Sequence, residues 1–310
     1  MITQLKEYLF GNPFDAILKK AAESGKRKFL IIWNRGLGDI PLGLYAMVER
    51  IESFVPNPEI TFLTRPDLRE GFALLGKGET IVSPALRRWQ DFSYTKVLLE
   101  LGFSPSNFEV IFDRPDPTRW LKWQLGQLIP KLKWQAEWDS LAERFGLKKE
   151  GPVIGVHVQT ETLYNYEKNW PEANWREFFA KVTRDMQATI VLFGFQPAPF
   201  FEGDKIIDLR GRTSLIEMMS IIKNGCTHLV APDSGVLSMT YYLDCSFPLH
   251  AVSLWADPKQ GVLRQKVPSP NPLFKHYPLV GKFKDVGRIP PQAVIDSLLQ
   301  TVVAPKIKSF

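Results

Sequence analysis

The chain has only two cysteines among its 310 residues, Cys226 and Cys245, and they form no CxxC pair. Neither a disulfide framework nor a cysteine-based zinc site is therefore expected, and a reducing compartment suits this cysteine usage. The histidines do not follow the HExxH spacing of a zinc enzyme. We expect no metal ion and no other cofactor.

Long apolar runs are also missing, since no stretch reaches the ~18 consecutive apolar residues of a membrane-spanning helix. The first residues carry acidic side chains and do not resemble a signal peptide. These features predict a cytoplasmic protein, or one that touches the cytoplasmic face of a membrane only peripherally. The excess of basic over acidic residues, 39 − 33 = 6, favours an anionic partner, while nothing indicates nucleic acid.

Three common nucleotide and hydrolase motifs are absent: the dinucleotide-binding GxGxxG, the P-loop and the GxSxG elbow. The nearest approach to the first, Gly36-Leu37-Gly38, lacks the third glycine. A Rossmann-type dehydrogenase is therefore disfavoured.

What the chain does contain is a regular alternation of short β-branched runs and segments of helical period, which predicts an α/β protein with parallel sheets. The predicted strands lie at 28–34, 59–64, 80–82 and 108–113, and then at 153–158, 189–193, 205–209, 227–231 and 249–254. Two such series, and a length suited to two domains of ~100–200 residues, predict two open α/β domains at 1–150 and 151–310. The cleft between them is the expected active site. A proline-rich loop at 268–281 and a terminal helix follow.

The first predicted strand leads into a glycine-rich turn, Arg35, Gly36, Leu37, Gly38 and Asp39. Such a turn permits close approach of a ligand to the backbone and places a carboxylate beside it. The ordinary alternative is that Asp39 caps the following helix.

Two turns of the second series carry groups suited to an anion. Thr160 follows the strand at 153–158, and Lys168 lies just before the next helix, where it is able to hold a diphosphate as a point charge. A solvated loop lysine is the alternative.

The strand at 227–231 ends in a proline followed by Asp233, Ser234 and Gly235. Free amides at a helix start, the Ser234 hydroxyl and the bare backbone of Gly235 together form a phosphate site. Helix capping explains the same residues equally well.

Basic residues alternate with tryptophan in the acid-free segment 118–136, on what we expect to be helices. This composition is typical of a membrane interface or a site for a lipid-linked acceptor. Packing tryptophans with solvated lysines are the ordinary alternative, and stacking of the tryptophans on a sugar ring is a third.

In their order along the chain, these pieces resemble the heptosyltransferase-type glycosyltransferases of lipopolysaccharide core assembly, glycosyltransferase family 9. The motifs that carry the resemblance are the LGD turn at 37–39, KxWP at 168–171, RGxTSL at 210–215, DSG at 233–235 and the pair Asp257-Pro258.

The resemblance implies a GT-B fold of two Rossmann-like domains, with the acceptor on the first, a nucleotide-sugar donor on the second and a terminal helix that packs back on the first. It also implies metal-independent, inverting transfer, usually of heptose from an ADP-sugar to a lipopolysaccharide core or other glycan acceptor. By this resemblance Asp39 is the catalytic base and Lys168 the second catalytic group. Donor-binding residues are then Thr160, Lys168, Asp233, Ser234, Gly235 and Ser238, and the acceptor turn is Arg35, Gly36 and Gly38.

The chain departs from the family pattern at three places. Ser238 stands where the family often has histidine, the loop 194–200 has no early acid for a ribose, and the segment 162–167 reads as an insertion. These departures bear on the identity of the donor base and sugar. The competing interpretation is a catalytically inactive GT-B-type protein that binds a sugar nucleotide without turnover.

Overall fold

The computed structural model of the chain describes residues 12–88, 90–147, 151–161, 166–195 and 199–300. The chain divides into two compact units. The first unit comprises Met1–Trp134, Tyr242–Asp244 and Val262–Pro270, and the second comprises Gln135–Tyr241, Cys245–Gly261 and Asn271–Phe310. These units are groups of residues in mutual contact, so the predicted domain boundary at 150 and the return of the chain's end to the first domain stay predictions.

The first unit is built on a parallel sheet with strand order β3-β2-β1-β4. Its strands are β1 (Lys28–Trp33), β2 (Glu59–Thr64), β3 (Glu79–Val82) and β4 (Val110–Phe112). Its helices are α1 (Pro13–Glu23), α2 (Tyr45–Phe54), α3 (Arg69–Leu75), α4 (Tyr94–Glu100) and α5 (Pro117–Trp120). Short 3₁₀ turns lie at Pro66–Leu68, Pro105–Asn107 and Lys122–Gln124.

Both faces of this sheet are covered, as expected of a parallel sheet. Successive side chains of a strand point to opposite faces. In β1, Phe29, Ile31 and Trp33 accordingly lie in one apolar cluster, and Leu30 and Ile32 lie in another. The near-continuous apolar sequence of β1 therefore reflects burial on two sides.

The second unit is built on a six-stranded parallel sheet with order β10-β9-β8-β5-β6-β7. Its strands are β5 (Val153–His157), β6 (Thr189–Phe193), β7 (Ile206–Asp208), β8 (His228–Pro232), β9 (Leu249–Trp255) and β10 (Phe274–Val280). Its helices are the 3₁₀ helix Ala136–Phe145, α6 (Glu172–Asp185), α7 (Leu215–Gly225), α8 (Gly235–Tyr241) and α10 (Pro291–Leu299). Helix α9 (Gly261–Gln265) begins at Gly261, which belongs to the second unit, and its other residues belong to the first. Turns at Lys282–Lys284 and Val286–Arg288 follow β10.

Strand β10 corrects the sequence interpretation, which assigned residues 268–281 to a proline-rich loop. Residues Phe274–Val280 pair in parallel with β9. Strand β10 lies at the edge of the sheet. Proline is tolerated on an edge strand, because the side of the strand that lacks the N–H can face away from the neighbouring strand, here β9. A proline in a run of seven residues normally argues against a strand, and here its edge position removes that objection.

The expectation for the segment 118–136 is also corrected, because most of it does not form the helices that its composition suggested. Only one α-helical turn, α5, and the 3₁₀ turn Lys122–Gln124 are helical, and the chain after Leu125 is irregular apart from a single β-bridge at Leu132. A glycine at 126 with φ +74° and Pro130 interrupt any regular helix there.

None of the helices in the described part of the chain has the length and apolar character needed to cross a membrane. Of the departures noted in the sequence, residues 162–165 and 196–198 lie outside the described residues.

Candidate active site

Open parallel sheets bind ligands outside the carboxyl ends of their strands, at the point where the strand order reverses. In the first sheet the reversal lies between β1 and β4, and in the second it lies between β5 and β8. The chain segments that leave these four strands carry most of the predicted site residues.

In the second unit, the reversal point brings Lys168 and Asp233 together. Lys168 Nζ donates a hydrogen bond to Asp233 Oδ2 at 2.7 Å, and the two side chains are only 12% and 10% exposed. An ion pair with this geometry and little solvent is stronger than an exposed one. The solvated-lysine interpretation of Lys168 is therefore wrong.

Lys168 is held by the loop around it. The side-chain amide of Asn169 accepts from Thr160 N at 2.7 Å and donates to Thr160 O at 3.1 Å, which ties the end of the β5 segment to the lysine. Glu167 Oε1 accepts from the backbone N–H groups of Lys168 and Asn169. The buried indole of Trp170 packs edge-on against Trp175 of α6. The KxWP motif thus fixes the backbone that presents the lysine.

The turn after β8 does act as a helix cap. Ser234 Oγ accepts from Leu237 N at 3.2 Å, and Ser238 Oγ donates to Ser234 O at 3.1 Å. Both serines are buried. Helix α8, which Gly235 begins, has seven residues, so its dipole is short. The Ser234 hydroxyl keeps a hydrogen to donate, whereas Ser238 already donates within the helix.

Gly261 is a contact of this site that sequence reasoning missed. A Cβ atom at this position would lie 2.5 Å from Asp233 Oδ1, and the residue has φ +48°. The only sequence signal was a glycine at the start of a short helix, which by itself does not single out a position near Asp233.

Three further motif positions in the second unit, Ser214, Arg210 and Asp257, form local contacts. Ser214 and Glu217 form a reciprocal capping box at the start of α7, and the buried Arg210 pairs with Asp208. Asp257, just after β9, accepts from Lys259 N at 2.9 Å, and this hydrogen bond is the main reason that its pKa lies below the usual value. Lys284 pairs with its other oxygen.

In the first unit, the turn after β1 orients Asp39 in an unexpected way. Asp39 Oδ2 accepts from Gly36 N at 2.9 Å and lies 3.6 Å from Arg35 Nε. The carboxylate makes no capping hydrogen bond to the wide helical turn Ile40–Leu44 that follows, so the capping alternative is wrong. Gly38 contributes its carbonyl, which accepts from Leu42 N. Asp39 is one-third exposed, which leaves it accessible.

A cavity of about 380 Å³ opens at the reversal point of the first sheet. Among its lining residues are Asn34 and Arg35 after β1, Asp113 and Arg114 after β4, and the aromatic residues Phe92 and Tyr94. The buried Arg65, which sequence reasoning also missed, donates to Asn34 Oδ1 at 2.9 Å. The amide, guanidinium and carboxylate groups of this lining can bind hydroxyls, and the aromatic rings beside them can cover an apolar face. The cavity therefore suits a polar ligand that has apolar faces.

The tryptophans of segment 118–136 are partly explained by packing. Trp120 and Trp123 pack against the apolar core of the first unit, and Lys131 pairs with Asp244. Peripheral membrane contact by this segment stays a prediction.

His157, at the end of β5, is a buried histidine and, among the described residues, is not part of a group of metal-ligating side chains. Its ring is buried, its Nδ1 has no hydrogen-bond partner, and desolvation lowers its pKa to about 4. Within the described ranges, no three His, Cys, Asp or Glu side chains are grouped so that they could hold a metal ion.

Comparison with known proteins supports the predicted resemblance. Residues 121–243 match the family model of glycosyltransferase family 9 (heptosyltransferase), a span that contains both Lys168 and Asp233. No curated protein matches the sequence of this chain.

Solved structures resemble the chain over most of its length. The Escherichia coli ADP-heptose LPS heptosyltransferase II is 17% identical with a TM-score of 0.63, covering 88% of this chain and 97% of its own. A glycosyl transferase family 9 protein from Veillonella parvula is 16% identical with a TM-score of 0.58, covering 88% and 95%. The E. coli heptosyltransferase WaaC with ADP-2-deoxy-2-fluoro heptose is 14% identical with a TM-score of 0.53, covering 87% and 98%.

These findings confirm the predicted GT-B fold of two Rossmann-like domains and the predicted resemblance to family 9. The match to the family model also confirms the assignment of the chain as a glycosyltransferase, a class of enzyme that uses a nucleotide-sugar donor and a glycan acceptor.

Proposed function

We propose that this glycosyltransferase transfers heptose from ADP-heptose to a lipopolysaccharide core or similar glycan acceptor, with inversion and without a metal ion. The observation that carries the proposal is the shielded Lys168–Asp233 pair at the reversal point of the second sheet. It lies in the span that matches family 9, and the three related structures described above include two named as heptosyltransferases.

The donor binds at this pair. The ammonium of Lys168 attracts the diphosphate, and the Ser234 hydroxyl and the backbone amides near Gly235 supply hydrogen bonds to it. Asp233 holds the lysine in place at 2.7 Å. Because α8 has only seven residues, its dipole is short, and Lys168 supplies most of the positive charge that faces the diphosphate.

The acceptor binds in the cavity of the first unit. Arg35 lines this cavity and also pairs with Asp39, so an acceptor hydroxyl in the cavity comes near the carboxylate. Carboxylate, guanidinium and amide groups bind sugar hydroxyls, and the rings of Phe92 and Tyr94 cover an apolar sugar face.

Inversion requires a single displacement at the anomeric carbon. Asp39 removes the proton of the acceptor hydroxyl as the new glycosidic bond forms, and the bond to the nucleoside diphosphate breaks with its electron pair leaving on the phosphate oxygen. Lys168 stabilises the charge that develops there. Asp39 is suited to this role because it is accessible and is not engaged as a helix cap.

Peripheral contact with an anionic membrane surface completes the proposal, because a lipid-linked acceptor resides there. The basic residues Arg119, Lys122, Lys131 and Lys133 each add up to ~1 kcal/mol of attraction near such a surface. Replacing all four with Gln reduces co-sedimentation with anionic liposomes if the segment binds there. Unchanged sedimentation excludes this contact.

A donor-hydrolysis assay tests the proposal against the alternative of an inactive sugar-nucleotide-binding protein. The enzyme releases ADP from ADP-heptose, faster when an acceptor is present. A protein that binds ADP-heptose but never releases ADP with any acceptor is the inactive binder.

A further inference from the structure

Gly261 leaves no room for a side chain beside the donor site. A Cβ atom there would lie 2.5 Å from Asp233 Oδ1 and 2.7 Å from Trp255 Cη2. Both distances are shorter than real Cβ contacts, so any side chain forces a neighbour to move. The residue also has φ +48°, which strains residues other than glycine.

The indole of Trp255 is not the neighbour that moves. It is fully buried, and its Nε1 donates to Ser253 Oγ at 2.6 Å. Ser253 Oγ is also 2.6 Å from His276 Nε2. An indole nitrogen only donates, so the Ser253 hydroxyl oxygen accepts from Trp255, and with His276 on the same oxygen the three side chains form one connected row. A side chain at 261 therefore displaces the carboxylate of Asp233.

Displacing that carboxylate disturbs Lys168, because both oxygens belong to one rigid group. Asp233 Oδ1 faces Gly261, and Oδ2 accepts from Lys168 Nζ. We propose that Gly261 is a positioning residue: its lack of a side chain, with Trp255 fixed on the other side, lets Asp233 hold the Lys168 ammonium where the donor's diphosphate binds. That the donor's diphosphate binds at Lys168 rests on the proposed function.

Gly261→Ala tests this role, with Gly146→Ala as a matched control. Gly146 has φ +57° and nothing within 4 Å of a built Cβ, so it incurs the same backbone strain without the contact. By isothermal titration with ADP, we expect Gly261→Ala to bind about tenfold or more weakly, the scale for losing one charge-assisted hydrogen bond. Gly146→Ala binds like the wild type. Equal affinity in the two variants overturns the proposal, and so does tighter binding by Gly261→Ala.

A double-mutant cycle shows whether Gly261 acts through Asp233. In an Asp233→Ala background the contact at Oδ1 no longer exists, so adding Gly261→Ala causes no further loss of ADP affinity. If the double variant instead loses ADP affinity by the product of the two single-variant factors, the two residues act independently and the proposal is overturned. Trp255→Phe removes the Cη2 contact, so Trp255→Phe with Gly261→Ala recovers most of the lost affinity and gives a second variant if Gly261→Ala folds poorly.

A readout without nucleotide separates this proposal from the proposed function. Acetic anhydride labels lysines, and mass spectrometry compares Lys168 with Lys223, which has a similar 2.7 Å ion pair to Asp139. We expect faster labelling of Lys168, but not of Lys223, in Gly261→Ala. Unchanged labelling overturns the positioning role. A wild type that binds no nucleotide overturns the proposed function, and the labelling then decides the positioning role alone.

Discussion

Lys168 and Asp233 are 65 positions apart in the chain, yet Nζ and Oδ2 lie 2.7 Å apart and nearly shielded from solvent. The strands that precede them, β5 and β8, are neighbours in the second sheet although β6 and β7 lie between them in sequence. The reversal of strand order is therefore what brings these two charges together.

Lys168→Ala removes the charge proposed to meet the diphosphate. We expect ADP affinity and turnover to fall together, each by about tenfold or more, because the same charge stabilises the bound donor and the leaving group. Titration calorimetry and the rate of ADP release measure the two effects.

The matched control for this change is Lys223→Ala, which loses an ion pair of the same length with a lysine side chain that is 14% exposed. It leaves nucleotide binding intact. If Lys168→Ala binds ADP as the wild type does, the assignment of Lys168 to the donor is wrong.

Asp39→Asn tests the catalytic base. An Asn side chain keeps an oxygen to accept from Gly36 N, so the turn and ADP binding stay intact. Turnover falls by ~10²–10⁴-fold, the range for losing a general base. Asp116→Asn is the control in the same unit, because Asp116 only caps α5. Normal turnover in Asp39→Asn contradicts the role of Asp39.

Activity is expected to survive chelation. No group of metal-ligating side chains occurs in the ranges that the structure describes, and Lys168 with nearby amides meets the phosphate charge. Turnover measured with EDTA equals turnover without it. Loss of activity that added magnesium or manganese restores is the result that rules out this mechanism.

Stability should fall on mild acidification because of buried histidines. Desolvation lowers the pKa of His157, and likewise of His276, to about 4, whereas an unfolded histidine titrates near 6.5. Below about pH 6.5 these histidines are protonated in the unfolded chain but stay neutral in the folded chain. The free energy of unfolding therefore decreases by about 1.4 kcal/mol per pH unit for each such histidine, until the pH approaches about 4.

Urea unfolding between pH 7.5 and 5.5 measures this decrease. His157→Leu keeps the site apolar and removes one titrating group, so its stability depends less steeply on pH than that of the wild type. Equal slopes for the two proteins contradict the explanation.

Much of the fold was predictable because the apolar runs of β1, β2, β5, β6 and β8 are buried on both faces and have no charged interior residue. Strand β10 was missed because Pro278 marks a break in sequence, and only its edge position makes that proline tolerable. Edge position depends on the whole sheet and is not a local property.

The site was predictable as a set of strand ends, but not as a set of contacts. Lys168 and Asp233 both follow buried strands and were both assigned to the donor by resemblance, whereas their direct ion pair depends on side-chain placement. Gly261 and Arg65 were missed because each contacts a residue that is distant in sequence, Asp233 and Asn34 respectively. The orientation of Asp39 toward Gly36 rather than its helix likewise depends on the turn's conformation.

The most direct test of the central claim is ADP release from ADP-heptose in the presence of EDTA and a lipopolysaccharide core acceptor, with the anomeric configuration of the product read by NMR. The proposed function predicts ADP release by the wild type, its loss in Lys168→Ala and Asp39→Asn, and a glycosidic bond of inverted configuration. ADP-heptose that binds without any release of ADP, or a product that retains the donor's configuration, contradicts it.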